Sequence, residues 1–490
     1  SIPEVIGFKK ALFNPESSES ISDKIAEALT DRDFYSLLKE NALARAKEFS
    51  WKRTASKTWK LINDYCLSVR KDSCSPILKM ECIREMSKAI QPFKGDKPFI
   101  RELSRCIYDI YADKKNKKSI YIDLSVLSKS DAGTGIQRVS RNIRDLLPEA
   151  ASGYDVAPVR KCRTMTGYEY SRKFLNSPRC DSVIYPQRGD VLFFPELTMP
   201  QVIAQKNYLL QLKERGVKLI ALIHDLMPIR HPETCQEKIL SFFSDFIDII
   251  AFFDGVICNS KATADDFEKW LAEKFPQRHG VCFIDWFHLG SEFNPANVSE
   301  SLSEEEENAI CELKKRNTFL MVSTIEPRKR YDQVLDAFDE LWNSGADVNF
   351  VIVGRAGWRI EKLLERLNNH PESGIRLFWF SGISDAFLNR IYDAASCVIM
   401  ASVAEGFGLA VIEAASYSKP LILRDIPVFR EIASENAFYF DGMDGNALAD
   451  CIRKWLKLYD RGEHPKSDGI KSLTWHESIK MLFDRLKKYI

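Results

Sequence analysis

The sequence has almost no net charge: 70 Lys and Arg stand against 69 Asp and Glu, leaving +1 over 490 residues. Bulk attraction to nucleic acid is thereby excluded. It also lacks any apolar run near the ~18 residues that a membrane-spanning helix needs. The richest stretch, Ile239 to Cys258, is broken by Ser241, Ser244, Asp245, Asp248 and Asp254. Among its twelve cysteines, Cys66 to Cys451, there is no Cys-x-x-Cys pair. That removes a zinc ribbon and a thioredoxin-type redox site. In a chain this long such cysteines read as reduced, mostly buried thiols in a cytosol.

What is present is ordinary globular material, 45 % apolar and 28 % charged, enough for two or three domains. An internal repeat organises it. Residues 1–62 echo residues 426–487. Ile2-Pro3, Ala11-Leu12-Phe13-Asn14, a helical stretch from Ile21 to Leu29, and Ser50-Trp51 match a later series. That series is Ile426-Pro427, Ala437 to Asp441, a helix from Ala447 to Leu458, and Thr474-Trp475. Ser or Thr stands at the helix cap in both copies. Residues 1–65 are therefore expected to be the tail of a preceding, similar domain. Residues 66–118 read as a helical, basic connector ending in Lys114-Lys115-Asn116-Lys117-Lys118, a run suited to solvent or to an anionic membrane surface.

From Ser119 the pattern alternates strand and helix. Short apolar runs at 121–124, 191–194, 219–223, 255–258 and 281–284 read as buried parallel strands. After an acidic stretch, a second series follows at 319–322, 348–353, 376–380, 397–400 and 420–423. The expected fold is α/β, with two Rossmann-like parallel-sheet domains and a cleft between them, preceded by a helical segment. The expected halves are 119–298 and 299–473, with a C-terminal helix at 474–490. Ligands of such sheets bind beyond the carboxyl ends of the strands.

The strongest motif is Glu405-Gly406-Phe407-Gly408-Leu409 with Glu413 eight residues after Glu405. It lies between a strand end near Met400 and a helix starting near Phe407. The amides of Phe407, Gly408 and Leu409 would then bind a pyrophosphate at a helix N-terminus. Glu405 can reach sugar hydroxyls and Glu413 ribose hydroxyls. The loop Ser323 to Arg330 puts Arg328 and Lys329 at another strand end, where they can neutralise a diphosphate; Arg330 is expected to face solvent. Ser381 to Asp385 reads as a turn and helix cap, with Ile383 placed to hold a nucleotide base. In the first half, His224-Asp225 ends a strand, and His224 can hydrogen-bond a sugar hydroxyl. Gly133-Thr134-Gly135 follows the first strand and can line the acceptor or phosphate side of the cleft. His288-Leu289-Gly290 reads as a structural hinge.

In their order, these motifs resemble the retaining, two-Rossmann-domain (GT-B, family 4) glycosyltransferases, a family containing many bacterial mannosyltransferases. The resemblance covers 119–490 and, through the repeat, 1–65. More narrowly, the chain resembles the C-terminal half of a tandem polymannose O-antigen mannosyltransferase. The resemblance implies GDP-mannose as donor, a growing lipid-linked mannan as acceptor and retention at the anomeric carbon. It also implies a preceding glycosyltransferase domain, a place at the cytoplasmic face of the inner membrane, a membrane-associated biosynthetic partner, and no nucleic-acid partner. Catalytic roles are implied for Glu405, His224, Lys329 and Arg328. No metal or other cofactor is expected, since Asp31 and Asp33 lie in the preceding tail and abut a helix. One departure is Thr324, where many relatives place an Arg; Arg328 can substitute. Another nucleotide sugar, or a degenerate scaffold half of a tandem enzyme, stays open as an alternative.

Overall fold

The structure is a computed structural model that describes residues 6–48, 117–131, 133–163, 166–174, 182–291 and 301–490. Ile2 to Val5, Ser50-Trp51, most of the connector and residues 292–298 of the first expected half lie outside the described residues. The chain divides into two compact units, Ser1–Ile107 and Tyr108–Ile490.

In the first unit a 3-10 turn, Lys9–Ala11, precedes helices Ser18–Thr30 and Arg32–Glu48. Ser17 caps the first helix by accepting from Ser20 N. The Asp31 carboxylate accepts from Asp33 N and Phe34 N at 2.9 and 3.0 Å, so it serves as a helix cap. Phe34 is buried, whereas Ile25, Leu29, Leu37 and Leu43 are exposed. The later repeat copy places strand Phe438–Phe440 at Ala437 to Asp441; here Ala11 to Asn14 continues from the 3-10 turn into loop. Among this unit's described residues there is no strand for it to pair with.

The second unit contains two sheets. The first holds β1 (Ser119–Asp123), β2 (Asp155–Lys161), β3 (Tyr168–Tyr170), β4 (Val191–Phe194), β5 (Lys218–Ile223), β6 (Gly255–Cys258) and β7 (Phe283–Trp286). Its order is β3-β2-β1-β4-β5-β6-β7, with only β3 antiparallel. The second holds β8 (Asn317–Val322), β9 (Val348–Val353), β10 (Leu377–Phe380), β11 (Cys397–Met400), β12 (Leu421–Arg424) and β13 (Phe438–Phe440). It is all parallel in the order β10-β9-β8-β11-β12-β13, with its reversal between β8 and β11. Central strands such as β4, β6, β11 and β12 are buried along their whole length, which is why they read as unbroken apolar runs. β7 starts two residues later than its apolar run suggests, because Val281 is exposed in the turn after Gly280.

Helix Trp475–Lys487, capped by a Thr474–Glu477 box, returns to the first half. Trp475, Ile479, Leu482 and Leu486 share a core with Ile143, Leu147 and Phe287, and Tyr489 stacks on Phe283 at 3.5 Å. The chain thus crosses between the halves twice. No helix among the described residues is long and apolar enough to cross a membrane.

Candidate active site

Both sheets present the carboxyl ends of their strands to one cleft. At the reversal of the second sheet, the loop after β8 meets the loop after β11. A 3-10 turn, Pro327–Lys329, carries the basic pair, and Val403 N donates to Arg328 O at 2.9 Å. Arg328 Nη1 lies 2.8 Å from Glu405 Oε2, and Lys329 Nζ contacts Glu405 Oε1. Arg328 Nε also meets Glu326. The Lys329 and Glu405 side chains are 9 % and 8 % exposed, so this pairing is screened little by water. Burial alone would raise the Glu405 carboxyl; Arg328 and Lys329 outweigh it and hold it at about 2. Glu405 is therefore a fixed carboxylate at neutral pH.

The first half supplies His224 and Asp225 from the end of β5. Asp225 is raised by burial, with Arg328 opposing, and it caps the next turn by accepting from Met227 N at 3.1 Å. It lines a 440 Å³ cavity together with Glu405, Arg230 and His231. His224 is buried, and burial lowers its pKa to about 4. Its neutral ring donates from Nε2 to Pro195 O at 2.9 Å, which leaves Nδ1 as an acceptor. Nε2 is thus committed, and of the two ring nitrogens Nδ1 is the one left for the sugar-hydroxyl role expected of His224.

The halves touch at Gly406. A Cβ there would stand 1.9 Å from His224 O. Ser260 Oγ and Thr263 Oγ1 donate to Gly406 O at 2.6 and 3.0 Å. The following helix begins at Leu409, two residues later than the sequence suggests, because Gly408 takes φ 89° and serves as its cap. No side chain caps this terminus. Val411 N already donates to Gly408 O at 2.9 Å, so the donors left in this turn are the amides of Leu409 and Ala410. The Phe407 side chain is buried and packs against His288 with ring centroids 5.5 Å apart, so only its backbone can serve a ligand. Glu413, one turn into this helix, pairs with Arg138 of the first half at 2.9 Å.

Gly133 adopts φ 69°, and nothing lies within 4 Å of where a Cβ would stand on it or on Gly135. Thr134 between them caps helix Gly135–Ala150. Ile383 sits before Ser384, which caps helix Asp385–Ala394, and packs against the cluster that holds Val411 and Phe387. Arg330 departs from expectation: it is half-buried in the left-handed region at φ 55°, bonding Asp332 and Met443 O rather than facing solvent.

Sequence reasoning missed the residues that join the halves. Glu431 accepts from Lys261 N and Ala262 N at 2.8 and 2.7 Å and contacts His288 Nε2 at 2.7 Å. Trp358 and Arg359 donate to the backbone of Thr234, and of Glu233 and Cys235. The capping preference of Glu for a helix N-terminus is a local signal, but nothing in the sequence says which helix it reaches.

Residues 303–471 match the family model for glycosyl transferases group 1, and residues 177–274 match the N-terminal domain of glucosyltransferase 3-like proteins. The serotype-specific mannosyltransferase WbdA of Escherichia coli is 34 % identical over 99 % of this chain, which spans 60 % of that protein's length. The O-antigen chain mannosyltransferase RfbU of Salmonella typhimurium is 22 % identical, covering 49 % of this chain and 61 % of its own. Anabaena HepE, solved with UDP, superposes with a TM-score of 0.51 at 15 % identity, over 76 % of this chain and 100 % of its own. Sucrose-phosphate synthase from Thermosynechococcus elongatus does so with the same TM-score and identity, over 76 % and 98 %. Two parallel sheets facing one cleft give the chain the GT-B fold of these structures, and residues 303–471 carry its match to the glycosyl transferases group 1 model.

Proposed function

We propose that the chain is a retaining α-mannosyltransferase that moves mannose from GDP-mannose to a growing lipid-linked mannan, in O-antigen synthesis. One observation carries the reading: Glu405, held by Arg328 and Lys329 at the reversal of the donor sheet, faces Asp225 and lies beside the Gly406–His224 contact. That places a fixed carboxylate, two cations and an unblocked helix N-terminus around one point between the halves. Glu405 orients the sugar through its hydroxyls, and Lys329 and Arg328 hold Glu405 at the diphosphate. No side chain is needed as a nucleophile. The acceptor hydroxyl attacks from the face the diphosphate leaves, and a departing phosphate oxygen takes its proton, so the protein's work is positioning and charge stabilisation. Mannose is supported by the mannosyltransferase names of the E. coli and Salmonella relatives. A lipid-linked acceptor would be met at the cytoplasmic membrane surface, by a protein bound peripherally.

The test is direct. The protein is incubated with GDP-mannose, UDP-glucose and UDP-N-acetylglucosamine, each with a synthetic mannoside, and products are characterised by NMR. An α-mannoside formed from GDP-mannose alone is expected. Transfer from a uridine donor overturns the donor assignment. Nucleotide binding without any transfer favours the scaffold alternative.

A further inference from the structure

The cations at Glu405 are already committed. Arg328 meets both Glu405 and Glu326, Lys329 meets Glu405, and the Asp225 carboxyl faces the same group. Three carboxylates against two cations leave no surplus positive charge there. A nucleoside diphosphate brings two or more negative charges, so a further cation is called for at the donor helix.

Arg138 stands at that helix. It lies in the first turn of Gly135–Ala150, just after the Gly133–Gly135 turn, whose glycines face open space. Its Nη1 is 2.9 Å from Glu413 Oε1, and its guanidinium lies over Trp475, 5.9 Å from the ring centroid. Glu413 and Leu409 are four residues apart on one helix, hence on the same face and separated by roughly 6 Å of rise. A guanidinium resting on Glu413 is therefore one helical turn from the free amides at Leu409.

We propose that Arg138 is a donor-phosphate ligand contributed by the first half. This rests on the reading that the cleft takes a nucleoside diphosphate sugar. When the nucleotide enters, its ribose hydroxyls donate to Glu413. The displaced guanidinium swings one turn and donates to a phosphate oxygen beside the Leu409 amide. The exchange conserves hydrogen bonds: Glu413 trades an N–H donor for O–H donors, and Arg138 trades a carboxylate oxygen for a phosphate oxygen. It also couples nucleotide entry to the contact between the halves, since Arg138 and Glu413 come from opposite sides of the cleft.

The experiment compares wild type, Arg138→Met and Arg138→Lys by calorimetry with GDP, guanosine, UDP and uridine, with each variant's melting curve as the folding control. For the nucleotide that wild type binds, Arg138→Met should weaken the diphosphate roughly tenfold or more, as expected for loss of a charge-assisted hydrogen bond. The nucleoside should bind as well or better, because Glu413 is released. Arg138→Lys should recover part of the loss as a point charge without the fork. Unchanged or tighter diphosphate binding by folded Arg138→Met would show that Arg138 only competes for Glu413, and would overturn the proposal. If wild type binds neither diphosphate, the nucleotide reading itself fails, an outcome that no Arg138 variant can mimic.

Discussion

At Gly406 there is no room for a methyl group: a Cβ would stand 1.9 Å from backbone, the carbonyl oxygen of His224, which cannot swing away as a side-chain end can. Gly406→Ala should therefore hold the halves apart, leave each sheet folded and remove nearly all transfer. A near-normal rate in the folded variant would contradict the closed contact as the working geometry. Gly135 makes the contrast, because its Cβ would meet nothing within 4 Å and it opens a helix. Gly135→Ala should melt at or slightly above the wild-type temperature, as Ala favours helix. If that turn approaches the ligand, the variant should still lose donor or acceptor affinity; unchanged kinetics would remove the turn from the site. Glu405→Gln and Lys329→Ala should each cost ~10²–10³-fold in kcat, the usual scale for losing a group aimed at developing charge. Rates within a few-fold of wild type in either variant would refute the assignment. The Arg328, Lys329 and Glu405 grouping was legible because each follows a strand within a few residues, and the parallel order brings those strand ends together. Arg138 was not legible: its partner Glu413 lies 275 residues away, and only the docked halves pair them. For His224 the position was readable and the atom was not, since the use of Nε2 by Pro195 O is a tertiary fact.

Among elements, the helix N-termini carry the argument. Helix Lys261–Lys274 has its own cap in the Ser260 hydroxyl and a second cap, the Glu431 carboxylate, brought by the other half. Burial would raise Glu431, but His288 and the two amides hold it below the usual glutamate value of 4.5. A depressed folded pKa means that its contribution is present above about 4.5 and is lost as pH falls further. Glu431→Ala should cost on the order of 1 kcal/mol in stability, by analogy with removal of a helix cap. It should also raise hydrogen exchange at Lys261 and Ala262 without touching β1 or β4. Exchange unchanged at those two amides would show that the cap is not formed in solution. Helix starts were partly readable from Ser and Thr caps, as at Thr474. The start at Leu409 was missed by two residues, because Gly408 is left-handed and Phe407 lies in the core beside His288 rather than in the helix. Arg330 was misplaced for a related reason: its left-handed backbone and its bond to Met443 O depend on the loop after β13.

Across the whole molecule, the proposed function has protein cations and helix amides neutralise the donor diphosphate, so transfer should survive EDTA. Loss of activity on chelation, restored by Mg²⁺ or Mn²⁺, would assign charge neutralisation to a metal instead. The acceptor half holds two buried carboxyl groups that make no ion pair among the described residues. Asp123 ends β1 and Glu196 follows β4, and burial raises them to about 6 and about 7. Hydrogen bonds oppose burial in both: Ser125 N donates to Asp123 at 3.0 Å, and Leu127 N and Val126 N donate to Glu196 at 3.0 and 2.9 Å. The sign follows from folded values above the unfolded ones of 3.8 and 4.5. Such groups bind protons more tightly in the folded chain. Their stabilising contribution is complete below about 4 and is lost as pH rises through about 6 and about 7. The melting temperature should accordingly decline between pH 5.5 and pH 8, over the window set by those two values. Glu196→Gln keeps an acceptor for one of the two amides and removes the proton to be lost. It should flatten the upper part of that decline and leave stability near pH 5.5 little changed, where the protonated acid serves as well as the amide. Asp123→Asn should flatten the lower part. His224 offsets part of the decline at its lower end: folded it is neutral above about 4, whereas the unfolded imidazole titrates at 6.5, so its contribution grows with pH until about 6.5 and is constant above. If Glu196→Gln leaves the slope between pH 6 and pH 8 unchanged, Glu196 is ionised at neutral pH, and the acceptor half must hold a counter-charge at the Val126–Leu127 turn.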